Sequence, residues 1–166
     1  MTLITTAVIT LLVLTSMQHI LLYHKAINNQ ELLHQNFYQL EEQALQLARK
    51  GLASIDAECL LRKSSVNHSV EQLMHLRGCS LKKNNLDYRY LIEDLGEYPC
   101  LMVYKKGHKL ATTHRRVSVM QLKEGYPASF LQLRFISAAS VLNCLAKEHA
   151  VTEGVSSWRY LASAEG

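Results

Sequence analysis

Residues 1–23 contain no Asp, Glu, Lys or Arg, and that one fact limits what the chain can fold into. The stretch LITTAVITLLVLTSMQHILLY is long enough to cross a bilayer, which takes ~20 mostly apolar residues. Beyond Tyr23 neither Pro nor Gly interrupts the chain before Gly51. Apolar side chains instead recur at Ile27, Leu33, Phe37, Leu40, Ala44 and Leu47, a three-to-four spacing that lines one face of a helix. The pattern predicts one helix from Leu3 to about Ile55, a rod of roughly 80 Å at ~1.5 Å per residue. Its first half is lipid-soluble and its second half amphipathic. Such a rod suits an assembly subunit better than a soluble enzyme.

If the rod takes about 55 of the 166 residues, roughly 110 remain, enough for one domain with a single core. A net charge of +4 is mild and does not by itself call for nucleic acid. Cys59, Cys79, Cys100 and Cys144 all follow the rod. An even count beyond a membrane anchor points to disulfides in an oxidising compartment, periplasmic or extracellular. No C-x-x-C occurs, so neither a zinc ribbon nor a thioredoxin motif is present. Four cysteines allow three pairings. The expected one joins Cys59 to Cys79 across the loop after the rod, and Cys100 to Cys144 between one strand and a later segment.

The apolar segment differs from a cleaved signal peptide. It lacks a basic n-region, its apolar run is too long, and no A-x-A site follows it. An uncleaved anchor is the expectation, with Leu3, Ile4, Val8, Leu11, Leu12, Val13, Leu14, Leu21 and Leu22 as its membrane or filament surface. Lys25 follows the span, which does not help the positive-inside rule; the cysteines place the C-terminal part outside. A basic leader ahead of Met1 would reconcile the two. Thr2, Thr5, Thr6, Thr10 and Thr15 enrich the span in hydroxyls, which either bond back to the helix or join a neighbouring helix. Acids at Glu31, Glu41 and Glu42 precede bases at Arg49 and Lys50, an order that suits the helix dipole.

From Tyr88 onward the period changes to two. Tyr88, Tyr90 and Ile92 alternate with Arg89, Leu91 and Glu93, and Leu131, Leu133 and Phe135 oppose Gln132 and Arg134. Leu95-Gly96, Lys106-Gly107-His108 and Glu124-Gly125-Tyr126-Pro127 separate these runs, as turns do in consecutive antiparallel hairpins. Residues 60–87 predict a polar connection with a short helix near Val70–Leu76. The expected fold is α+β: a long helix, membrane-spanning then amphipathic, packed by its C-terminal half on an antiparallel sheet. Leu33, Phe37, Leu40, Ala44 and Leu47 would make that packing. The expected divisions are the membrane half (1–23), its amphipathic extension (24–55) and a globular head (56–166).

Catalysis finds little support: there is no G-x-S-x-G, H-E-x-x-H or P-loop. Glu41-Glu42 and Glu93-Asp94 are sequence neighbours that fall on different faces. His68, His75, Cys59 and Cys79 lack the tight ligand spacing of structural zinc sites. Lys105, Lys106, Lys109, Arg115 and Arg116 form a basic stretch free of acids, which DNA phosphates could contact. A solvated hairpin tip, protected from edge aggregation by its lysines, is the preferred account. Asn67-His68-Ser69 fits a glycosylation sequon, of consequence only in a eukaryotic secretory pathway. Trp158, in the strand-like SSWRYL, is expected in the core.

A helix apolar in its first half and amphipathic in its second, then a connecting loop, an antiparallel sheet and paired cysteines, resembles the layout of type IV pilins and pseudopilins. LLVLTSMQHILLYHKAINNQELLHQNFYQLEEQALQLA is similar to the start of minor pilins of the PilX type, with an apolar LLVLT-like run and an EEQAL-like segment. DYRYLIEDLGEYPC and GVSSWRYL have the flavour of that family's C-terminal domain. The resemblance covers residues 1–50 in sequence and the rest by layout. It departs where pilins carry a basic leader and a Glu four positions after the first mature residue; Thr5 stands there if Met1 is first. The resemblance implies a minor pilin or pseudopilin-like subunit for pilus or type II secretion-like filament assembly or adhesion. It implies an inner-membrane protein with a periplasmic head, at the cell surface once assembled. Its partners would be other pilin subunits and the assembly machinery, with no cofactor and no small-molecule substrate. The alternative is a bitopic envelope scaffold whose amphipathic half is a coiled coil.

Overall fold

A computed structural model describes the chain except for residues 1, 52–53, 63–65, 140–142 and 163–166. The fold is α+β. Helix α1 (Thr2–Arg49) comes first. A 3₁₀ turn (Ala57–Cys59), β1 (Leu60–Arg62) and α2 (Val66–Met74) follow. Next come β2 (Cys79–Lys83), β3 (Leu86–Lys105), β4 (His108–Lys123) and β5 (Tyr126–Ala138). The last strands are β6 (His149–Ala150) and β7 (Gly154–Ala162). The chain falls into two compact units, Met1–Asn36 and Phe37–Gly166. That division differs from the expected breaks at 23 and 55, because the last turns of α1 belong to the core of the second unit. The helix also ends at Arg49 rather than near Ile55. Gly51 removes the helical preference there, and Arg115 of β4 donates to the free carbonyls of Ala48 (3.4 Å) and Lys50 (2.8 Å), which a helix end must satisfy.

The seven strands make one sheet in which β1, β3, β4, β5 and β7 are successive neighbours. The sheet is mixed rather than purely antiparallel. Strands β2, β1 and β6 each cover a different stretch of the outer edge of β3, and β1 and β6 run parallel to it. Three two-residue turns build the meander. Asn84-Asn85, Lys106-Gly107 and Glu124-Gly125 all hold both central residues at positive φ, the conformation whose twist matches a hairpin. Pro99 lies where the β3–β4 register slips between Tyr98 and Met102, since proline cannot donate to a regular ladder.

Period two gives the sheet two faces. On one, Tyr88, Ile92, Val117, Val119, Leu131 and Leu133 bury Leu40, Ala44, Leu47 and Ala48 of α1. On the other, Leu73 of α2 packs on Leu91, Met120 and Phe130. Helix α2 closes with bonds from Leu76 N to Leu73 O and from Arg77 N to Gln72 O, a Schellman pair with Leu76 in the left-handed region. Gly78 then has a different task. A Cβ there would stand 2.7 Å from the Tyr90 carbonyl oxygen, so only glycine lets the chain enter β2 so close to β3. Disulfides join Cys59 to Cys79 and Cys100 to Cys144. The first ties the segment after α1 to the start of β2; the second ties mid-β3 to the segment before β6.

Candidate assembly surface

In the first unit, Ile4, Val8, Leu11, Leu12, Val13, Leu14, Leu21 and Leu22 are all exposed, Ile4 to 72% and Leu21 to 68%. The side chain of Leu3 lies outside the described residues. Among the described residues this is one helix long and apolar enough to cross a membrane. Several of its hydroxyls bond back to the helix. Thr10 donates to Thr6 O and Ala7 O, Thr15 to Leu11 O and Leu12 O, and Ser16 to Val13 O, all at 2.8–3.0 Å. Such back-bonds make a hydroxyl-bearing helix compatible with hydrocarbon. An uncharged apolar surface of this extent needs either lipid or other apolar helices against it.

In the second unit the helix face is sealed. Leu40 and Ala44 are fully buried and Leu47 nearly so. Phe37 closes the seam by meeting Tyr160 edge-on at 5.4 Å and Trp158 at 5.4 Å. Leu33 belongs to the first unit and is 41% exposed. One expectation fails in the second unit. Trp158 is not a core residue but is 64% exposed, because β7 is the last strand of the sheet; Phe37 meets its ring from the helix.

The basic stretch does not act as one patch. Lys105 pairs with Glu153 at 3.1 Å and Lys109 with Glu148 at 2.9 Å. Arg115 caps α1 from the sheet's helix-covered face. Arg116 points to the other face and pairs with Glu93 at 3.1 Å. Only Lys106 stays at the exposed turn without an ion pair among the described residues. The stretch is free of acids in sequence but not in space, since residues 148–153 return beside the hairpin. Its two arginines project to opposite faces because they are consecutive in a strand. The Lys105 hydrogen bond, then that of the Ala138 N–H, holds the Glu153 carboxyl below its usual range. On Lys109 the Glu148 hydrogen bond raises the ammonium.

A polar row escaped the sequence reading. In register across the sheet, Glu93 of β3 opposes Arg116 of β4, Arg116 opposes Arg134 of β5, and Arg134 opposes Ser157 of β7. Beside it, Gln132 opposes Arg159 and donates to Ser118 (2.9 Å) and to Ser69 of α2 (3.3 Å). Next along β4, buried His114 accepts from Arg134 through Nδ1 (2.7 and 3.0 Å), and its Nε2 lies 3.0 Å from the Thr112 hydroxyl. A guanidinium cannot accept, so His114 carries its proton on Nε2 and is neutral. Burial first, then the Arg134 charge, pushes its pKa below 6.5. Tyr98 stacks on His114 at 4.3 Å and lies under Arg134 at 5.4 Å. The signal was the alternation itself: Arg116, Arg134 and Arg159 each fall on the strand face opposite the main core. Only strand pairing, which periodicity does not reveal, puts them side by side.

Cys59 and Cys79 are bonded to each other, so neither is free to ligate a metal beside His68 or His75. Comparisons with models of known protein families, with curated proteins and with solved structures found no match.

Proposed function

We propose that the chain is a minor-pilin-like filament subunit. Residues 4–22 anchor it in the inner membrane before assembly and pack against neighbouring subunits' helices afterwards. The observation that carries this reading is the contrast along α1. Eleven large apolar side chains between Ile4 and Leu22 are half or more exposed, while Leu40, Ala44 and Leu47 are sealed by the chain's own sheet. A helix whose last turns need no partner, and whose first turns need one in any medium but lipid, can pass from bilayer to helical bundle without refolding its head. The disulfides support an oxidising compartment for the head, which on this reading is the periplasm and then the cell surface.

The test is to shear surface filaments from cells expressing the protein with its native partners and to blot sheared and membrane fractions. The protein should occur in both, and Val13→Lys should remove it from the sheared fraction. Recovery only in membranes under conditions that yield filaments would favour a second reading, a bitopic scaffold. Ile27, Leu32 and Leu33, each at least 40% exposed, would then be the apolar residues of the amphipathic half left for partner helices. No enzyme activity is part of either reading.

A further inference from the structure

Helix α2 packs on the second sheet face at Leu91, Met120 and Phe130 and reaches Gln132 through Ser69. Next to it lies an open groove of about 230 Å³, lined by Arg116, Arg134, Arg159, Gln132 and Ser157, with Leu133 and Trp158 completing it. Arg116 and Arg134 stand directly opposite each other on adjacent strands. Like charges in that relation repel. One carboxylate, Glu93, answers the cluster, and it is buried beneath Arg116. Arg134 is held on its far side by His114, which is neutral and cancels no charge. Arg159 has no ion pair among the described residues; it lies opposite Gln132, in the row beside that of Arg116, Arg134 and Ser157. Among the described residues the groove therefore holds three guanidiniums against one carboxylate. Each guanidinium has five N–H donors, and the bonds described to Glu93 and His114 use only a few of them.

From this we infer that the groove binds a phosphate-class oxyanion. The excess of two positive charges matches a dianion. Donors that approach from three strands suit tetrahedral acceptor oxygens better than one planar carboxylate, and arginine forks bind phosphate oxygens through charge-assisted hydrogen bonds. Ser157 adds a hydroxyl donor at the open rim. His114, Tyr98 and Glu93 do not touch the anion; they are positioning residues that fix the planes of Arg134 and Arg116. The inference is independent of the filament reading, because it uses only residues of the head.

The test uses the full chain in detergent micelles, with the arginine Nε–H signals followed by NMR at constant ionic strength. Sodium phosphate should shift the signals of Arg116, Arg134 and Arg159 saturably along one common binding curve, while sodium acetate and chloride should not. Arg159→Gln removes an exposed side chain with no ion pair to break, so the fold should persist. Affinity should fall about tenfold, as expected for one lost charge-assisted contact. Lys106→Gln at the distant turn should leave affinity unchanged. Glycerol 3-phosphate, a soluble piece of a lipid headgroup, identifies the source. Tighter binding than inorganic phosphate indicates an ester-borne phosphate, and equal binding indicates the free ion. Non-saturable shifts, equal affinity for acetate, or full affinity in a folded Arg159→Gln protein would each overturn the inference.

Discussion

Ile4–Leu22 and Leu40–Ala48 belong to the same helix, yet the large apolar side chains of the first are exposed, whereas Leu40, Ala44, Leu47 and Ala48 of the second are buried. The difference lies in what each can bury against. The later segment is amphipathic, so a single sheet face satisfies its stripe while Glu42 and Gln46 stay in water. Glu42, for example, reaches Lys83 of β2 at 2.8 Å. The earlier segment is apolar all round, and one sheet face could never cover it. It suits a solvent that is apolar on every side: lipid, or a bundle of like helices. Helical periodicity is common to both segments, and the distribution of charge around the helix separates them.

The same truncation should separate the two regions most sharply. Leu40→Ala empties a fully buried site and should cost the head about 2–5 kcal/mol, the range for buried leucines. Leu14→Ala, in the exposed segment, should leave denaturant unfolding of the head within error. Equal effects at both sites, measured by urea titration in detergent, would break the distinction.

The disulfides act on the head alone. Cys100–Cys144 spans 44 residues and Cys59–Cys79 spans 20. Denatured-state entropy assigns them about 4 and about 3 kcal/mol respectively. Replacing each pair by alanines should lower head stability in that order without changing recovery in membranes. The reverse order, or loss from the membrane fraction, would show the two regions to be coupled.

The anchor prediction is the complement. Val13→Lys should cost ~2.5–3.5 kcal/mol of insertion near a span centre and deplete the protein from membranes. Unfolding of any recovered head should be unchanged. Glu42→Lys, also on α1, should leave insertion intact, although it breaks the pair with Lys83, an exposed contact worth ~1 kcal/mol or less.

The smallest effect is one of pH. His114 is neutral in the folded head, with its pKa pushed below 6.5 by burial and by Arg134. The unfolded chain therefore takes up this proton first, and stability is complete above about pH 6.5, the ordinary histidine value. Stability should decline as pH falls from there toward the depressed folded value. His114→Gln should flatten that part of the profile, measured as urea midpoints between pH 5 and 8. Glu153 adds a decline of its own only at lower pH, because the stability its depressed carboxyl supplies is complete above the ordinary carboxylate value and is lost as pH falls from there toward the folded value.

What the sequence made legible follows from which forces are local. The long helix, the α+β class and the turns at Lys106-Gly107 and Glu124-Gly125 rest on periodicity and on residues that tolerate positive φ. The pairs Cys59–Cys79 and Cys100–Cys144, read from order along the chain, are the pairs present. Asn84-Asn85 was hidden inside an apparently polar connection, although asparagine tolerates the same turn geometry. The end of α1 was missed because its cap, Arg115, comes from far along the sequence. Trp158 was misplaced because aromatic content signals a strand but not whether that strand lies at an edge. The arginine row was invisible for the same reason: register joins residues that no spacing along one strand connects.

The central claim, one helix with two environments, can be tested by placing a photo-crosslinking phenylalanine at Leu14 or at Leu40 in cells that make filaments. Irradiation should couple Leu14 to other subunits in sheared filaments and to lipid in membranes. Leu40 should couple only within its own chain. Leu14 adducts with lipid alone in every fraction, or Leu40 adducts with a second protein, would contradict the account.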